Sequence, residues 1–434
     1  MSATLFTHCT LFPGAYAAVI DDAFILVEAN SIAAIGPMAK APPPGSARVV
    51  DVRGKLVMPG FVNAHAHCAM TLFRGMADDL ALHTWLHEHI FPAEARCISP
   101  EMVYWSTKLA AAELILSGTT CVADAYFFSA MSGQALSDCG LRAVIGHGIV
   151  DFSVPSVPDP AKNVDTVATF IAEWQGKDPL ITPAVFAHSP YTCSPATLTK
   201  SCRLAEEAGV RFFIHLAESR NEMDMVIDPQ GASPVRHLAA LGLLGKNTVC
   251  VHGVWLDDDD LELVARSGSQ VVTCPQSNMK LASGIARVPD MLRHGIAVGL
   301  GTDGCASNNS LDMFREMGML AKIQKVAGGD ATSLPAQAAL HSATTGGAAV
   351  LGLPHLGRLE TGFRADLIVL HLDRPHLTPF YHPDLLVYAA GGADVDTVMV
   401  DGRILMAGRR ILSFDVEEAK ARVRELARTA QPAS

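Results

Sequence analysis

The chain has 434 residues, 49% of them apolar, enough for a barrel-sized domain plus a smaller one, which excludes a largely disordered protein. A formal charge of −11 spread along the chain, with no basic stripe, argues against nucleic acid as a partner, and no apolar run is long enough to cross a bilayer. The ten cysteines lack C-x-x-C spacing and several sit in apolar runs; with no charged-then-apolar leader, free thiols in a cytoplasmic protein are expected.

In chain order, the first fifty-odd residues read as short strands. Ala17–Ile20 and Phe24–Val27 flank Asp21-Asp22, Ser31–Ile35 follows Ala29-Asn30, and a Pro-rich break at 42–45 leads to Val49–Val52 and Lys55–Met58. The middle of the chain alternates strand and helix. Ser99-Pro100, Ser194-Pro195 and Ser233-Pro234 each supply an N-cap and a proline at the first helical position, closed by Gly118, Gly209 and Gly242. Asp257–Ser267 and Val288–His294 are two more helices, with strands predicted at Val210–Leu216, Thr248–Val254, Gln270–Cys274 and Ile296–Leu300. Such β-α repeats imply a parallel sheet, and their total length suits a (β/α)₈ barrel better than an open one. The C-terminal part returns to strands at Ala365–Leu370, Thr397–Val400 and Arg403–Met406, the last two flanking the hairpin signal Asp401-Gly402. The expected organisation is α/β: a barrel over residues 58–350, and one small β-sandwich built from residues 1–57 and 351–434, with a terminal helix.

Chemistry concentrates at strand ends. His65 and His67 are two residues apart, so on a strand both imidazoles lie on one face and can reach one ion. His215, His252 and Asp303 each end an apolar strand, and Glu218 follows His215 by three residues. C-terminal strand ends of a barrel converge on one mouth, and five such groups arriving in order are hard to explain as packing.

The run Val57-Met58-Pro59-Gly60-Phe61-Val62-Asn63-Ala64-His65-Ala66-His67, with the closing segment Gly357–Gly362 and Ala365-Asp366-Leu367, resembles the amidohydrolase superfamily over nearly the whole chain. The resemblance implies a divalent metal held by His65, His67, His215 and Asp303, with Asp303 also able to serve as a base. Two-metal members carry a bridging lysine on the fourth strand; the candidate here, Ile181–His188, has none, which favours one ion, zinc or else iron. A bound ion lowers the pKa of its water toward neutrality and so supplies a metal-bound hydroxide. Glu218 is placed to shuttle protons, and His252 and Asp303 to orient or deprotonate the attacking water.

Within the superfamily the chain is most similar to the 5-methylthioadenosine/S-adenosylhomocysteine deaminases, through Thr71–Gly75, Trp85-Leu86, Pro92–Glu94, His188–Tyr191, Ser277–Leu281, Gly301–Gly304 and Ser307–Ser310. This likeness implies a purine nucleoside substrate. Glu94 would grip its ribose hydroxyls, His188 would contact the sugar, and Trp85 would pack on the ligand. Relatives that take the homocysteine tail can carry two arginines where this chain has His147 and, near Lys162, Asn163. His147 is therefore expected at the 5′ end of the substrate, in a site better suited to a neutral 5′ group. The rival readings are guanine or cytosine deamination, triazine hydrolysis and a catalytically dead scaffold, the last disfavoured by an intact ligand set. A homo-oligomer is compatible with the sequence, which does not decide the oligomeric state.

Overall fold

A computed structural model describes residues 3–230 and 233–430. Five strands open the chain: β1 (Thr4–Leu11), β2 (Ile20–Glu28), β3 (Ser31–Pro37), β4 (Arg48–Asp51) and β5 (Lys55–Pro59). Eight more follow: β6 (Phe61–Ala66), β7 (Thr119–Tyr126), β8 (Arg142–Ile149), β9 (Ile181–Ala187), β10 (Phe212–Leu216), β11 (Thr248–His252), β12 (Gln270–Thr273) and β13 (Val298–Leu300). These eight pair in chain order, all in parallel. Parallel neighbours need crossover connections, and helices including Pro100–Leu116, Pro195–Ala208, Pro234–Ala240 and Asp258–Ser267 supply them. Ser99, Ser194 and Ser233 each accept the backbone N–H three residues on, as their spacing implies. Asp257 does the same for Asp260, whose side chain is buried against Ser233.

The barrel closes where β13 meets β6. The Asp303 N–H donates to the His65 carbonyl at 3.0 Å, and the Thr302 N–H to Asn63 Oδ1 at 3.1 Å. Asn63 Nδ2 in turn donates to Thr302 Oγ1 at 2.7 Å. This approach requires Gly301, because a Cβ there would lie 2.8 Å from the His65 carbonyl oxygen and 2.9 Å from its Cβ. Val62, Cys121, Val144, Phe186, Phe213, Val249 and Val272 share one apolar cluster inside the barrel.

The termini build the second layer. After the barrel come β14 (Leu367–His371), β15 (Val395–Val400), β16 (Arg403–Ala407) and β17 (Arg410–Ile411). They join the first five strands in one nine-stranded mixed sheet, with β14 antiparallel to β5 at its centre. Phe6, Ile25, Val57, Val369 and Met399 belong to a core of its own, shared by both ends of the chain. Asp401 and Gly402 turn the β15–β16 hairpin with φ of 50° and 76°. Asp21-Asp22 does not break a strand: β2 runs through it as far as Glu28, and Ala17–Val19 lies outside. An irregular register with β1 absorbs the acidic pair, and Asp22 takes His8 Nδ1 at 2.8 Å. All ten cysteines are free. Among the described residues no helix is long and apolar enough to cross a membrane.

Substituting Gly301→Ala should destabilise the barrel by about 1–3 kcal/mol, the usual cost of overpacking a tight site. Denaturant unfolding reads this as a lower midpoint; an unchanged midpoint would show that the seam does not need the glycine.

Candidate metal centre and the cavity above it

His65 lies near the end of β6 and His67 just beyond it, His215 lies in β10, His252 ends β11 and Asp303 follows β13, all at one end of the barrel. His65 Nε2 stands 3.3 Å from His215 Nε2 and 3.5 Å from Asp303 Oδ1, which is 3.2 Å from His67 Nε2. The rings of His65, His67 and His215 are steeply inclined to one another, at 72–89°, so their nitrogens converge on a point instead of stacking. A tetrahedral ion with bonds of about 2.0–2.1 Å keeps its donors about 3.4 Å apart, and these three separations match that spacing, with His65, His67 and Asp303 forming one mutually close group. His252 offers a nitrogen to the same cluster, within 4.8 Å of those of His65 and His215.

Protonation follows from burial and from Asp303. Burial pulls His65 down to about 4 and His215 well below the usual imidazole range, which leaves both neutral at pH 7. Burial also pulls on His67, but its contact with Asp303 outweighs that and lifts it to about 9. Asp303 stays well below the carboxylate range, because His65 and His67 offset the cost of burying it.

The remaining atom of several groups is tied down. His67 Nδ1 meets the Ala125 carbonyl at 2.6 Å, and His252 Nδ1 meets Asn278 Oδ1 at 2.9 Å. Ser277 and Ser307 both donate to Asp303 Oδ2, at 2.6 and 2.8 Å, which leaves Oδ1 to the histidines. Glu222 accepts the N–H groups of Ala217 and Glu218 at 2.8 and 2.7 Å, fixing the loop that carries Glu218. Ser277, Asn278, Ser307 and Glu222 were not singled out from sequence as site residues. Their roles depend on loops folding back across the mouth, and only the neighbourhood of Glu218, Asp303 and the Ser277–Leu281 motif could have pointed to them.

Above the cluster lies a cavity of about 380 Å³. Its lining brings His67, His215, Glu218, His252 and Asp303 together with Trp85, Glu94 and His188. Glu218 Oε2 is 3.8 Å from His252 Nε2, and burial raises its pKa. His188 is held by Thr192 Oγ1 at 3.0 Å and kept neutral by burial, at about 3. Trp85 and Glu94 arrive on consecutive helical segments, Trp85–Ile90 and Phe91–Cys97, of a stretch that starts at Leu82 with no side-chain cap and hence no start signal in the sequence. Leu82, Leu86, Phe91, Val150, Phe152 and Val154 make much of the remaining wall apolar.

His147 does not join them. The neighbouring Gly148 lines the cavity, while the His147 side chain points to the other face of β8, where Nδ1 lies 3.2 Å from Ser129 Oγ. Asn163 is also buried away from the cavity, donating to the Val150 carbonyl. Arg74 is paired with Glu113, and neither it nor Lys162 reaches the lining. No lysine or arginine lines the cavity among the described residues.

A model of the amidohydrolase family matches residues 56–405. The chain belongs to that family. It is 46% identical over 415 residues to a 5-methylthioadenosine/S-adenosylhomocysteine deaminase of Syntrophobacter fumaroxidans, covering 95% of this chain and 94% of the relative. Its fold matches that of an adenosine deaminase from Xanthomonas campestris with bound zinc, at a TM-score of 0.95 and 35% identity, over 99% of this chain and 98% of that one. An atrazine chlorohydrolase from Arthrobacter aurescens, complexed with zinc, superposes with a TM-score of 0.90 over 98% of this chain and all of its own, but at 23% identity it shares the fold alone.

Because His67 is protonated at pH 7 without an ion, while His65 and His215 are not, metal uptake should expel about one proton per chain. Affinity should then rise about tenfold per pH unit from 7 to 9. Calorimetry in buffers of different ionisation enthalpy counts the protons; a count of zero, with affinity flat over that range, would contradict this protonation pattern.

Proposed function

We propose that this chain is a metal-dependent aminohydrolase that converts an adenine nucleoside with a neutral 5′ group, such as 5-methylthioadenosine, into its inosine analogue and ammonia. The observation that carries this reading is a cluster of imidazoles and Asp303, with Glu218 buried beside it, at the floor of a cavity whose wall holds Glu94 and, among the described residues, no lysine or arginine. The family, and the relatives named for this activity and for adenosine deamination, support it.

His65, His67, His215 and Asp303 would hold one divalent ion, which on binding supplies Lewis acidity and lowers the pKa of a water toward neutrality. Zinc suits three imidazoles and a carboxylate, and iron(II) is the second choice. Deamination adds water across the ring C–N bond at the carbon bearing the amine and then expels ammonia. The ring nitrogen must gain a proton as the C–O bond forms, and the departing amine must gain another. Glu218 suits both transfers: burial keeps its carboxyl protonated to a higher pH than usual, so that it can donate. With Oδ2 held by two serine hydroxyls, Asp303 keeps Oδ1 for the ion and the attacking water. His252 presents Nε2 on the same side because Asn278 holds its Nδ1.

At the other end of the substrate, Glu94 would accept hydrogen bonds from the ribose hydroxyls, with His188 beside the sugar and Trp85 against the ligand. His147 is not part of this set, since its side chain turns away from the cavity. The preference for a neutral 5′ group rests instead on the lining, which has largely apolar walls and, among the described residues, no lysine or arginine.

Two outcomes test the reading. In a panel of 5-methylthioadenosine, adenosine, S-adenosylhomocysteine, guanine and cytosine, ammonia release should be fastest from a nucleoside with a neutral 5′ group. S-adenosylhomocysteine should be about 10- to 100-fold worse in kcat/KM than 5-methylthioadenosine, the scale of one lost charge-assisted hydrogen bond. Faster turnover of guanine, cytosine or S-adenosylhomocysteine would overturn the assignment. Glu218→Gln should lower turnover by about 100-fold or more with metal content unchanged; wild-type rates would remove Glu218 from the mechanism.

A further inference from the structure

Tyr126 is absent from the roles proposed above, yet it makes the one hydrogen bond that reaches the Glu94 carboxylate among the described residues. Its phenol donates to Glu94 Oε1 at 2.5 Å. Both side chains are buried, 5% and 6% exposed, and both line the cavity. Its neighbour on β7, Ala125, offers the carbonyl that meets His67 Nδ1 at 2.6 Å. Two consecutive residues of one strand therefore orient a candidate metal ligand through the main chain and the candidate ribose acceptor through a side chain.

We infer that Tyr126 is a positioning residue that makes the site select substrates with an intact ribose diol, by holding the Glu94 carboxylate in the orientation that accepts both hydroxyls. The inference rests on the nucleoside reading and on Glu94 as the ribose acceptor. A carboxylate on a flexible stem can rotate about its last torsion, and that freedom must be lost when two hydroxyls bind. The phenol takes one acceptor direction of Oε1, leaving Oε2 and the second direction of Oε1 for the ligand. It also favours the ionised form that a pure acceptor needs, against burial that lifts Glu94 to about 7. The anchor of the carboxylate is rigid because Tyr126 belongs to a barrel strand buried along its whole length.

The test is steady-state kinetics of Tyr126→Phe, which keeps the ring and removes the hydroxyl, on 5-methylthioadenosine and its 2′,3′-dideoxy analogue. The expected result is a KM for the diol substrate raised about tenfold, with kcat changed far less. The ratio of kcat/KM between the diol and dideoxy substrates should shrink by a similar factor. In a Glu94→Gln background the same change should have little further effect, because the two residues act as one unit. Equal losses on both substrates, or an unchanged diol preference, would overturn the inference even with metal content and melting midpoint at wild-type values. If Tyr126→Phe fails to fold, the wild-type preference still decides: a diol advantage absent both from wild type and from Glu94→Gln overturns it. Wild-type protein that releases no ammonia from any adenine nucleoside would instead defeat the nucleoside reading itself.

Discussion

The site depends on how closely the last barrel strand approaches the first. β13 carries Gly299, where a Cβ would lie 3.0 Å from that of Ala64, and is followed by Gly301, where a Cβ would come within 2.8–2.9 Å of His65, closer than a side chain can sit. That closeness lets the Asp303 N–H bond the His65 carbonyl and brings Oδ1 within 3.2–3.5 Å of two imidazoles. The chain pays for the convergence in backbone strain: Ala217, His252 and Asp303 all adopt positive φ, at 53°, 76° and 60°. Each lies where a strand gives way to a loop over the mouth.

Around this seam the loops form a supporting shell. Glu316 is fully buried and accepts from Gln276 and Asn308, tying together the segments that follow β12 and β13. The first of these segments supplies Ser277 to Asp303 and Asn278 to His252, and the second supplies Ser307. Glu222 does the same for the segment after β10. Buried carboxylates that accept several N–H groups fix backbone, and here they hold the loops that carry the candidate site groups. The cavity above follows a different rule. Its walls are largely apolar, and among the described residues Glu94 is its one carboxylate away from the histidine cluster, with no lysine or arginine in the lining.

The parts legible in the sequence were those governed by local pattern. Strand-end histidines, Ser-Pro helix starts and the Asp401-Gly402 turn each carry their signal within a few residues, and the structure has them where that signal lies. What was not legible depended on long-range partners. Asp21-Asp22 reads as a break, yet a bulge and His8 keep it in a strand. His147 and Gly148 cannot be assigned to inner or outer faces without the register of β8, and a one-residue difference reverses the conclusion. Tyr126 looks like any strand aromatic until Glu94, 32 residues earlier in the chain, folds against it.

The most direct test of hydrolytic deamination is mass spectrometry of the product formed from 5-methylthioadenosine in water enriched in oxygen-18. The account predicts an inosine analogue one mass unit heavier than the substrate in ordinary water and about three in labelled water, since one solvent oxygen replaces the amino nitrogen. Release of free adenine, or an inosine analogue without solvent oxygen, would contradict it.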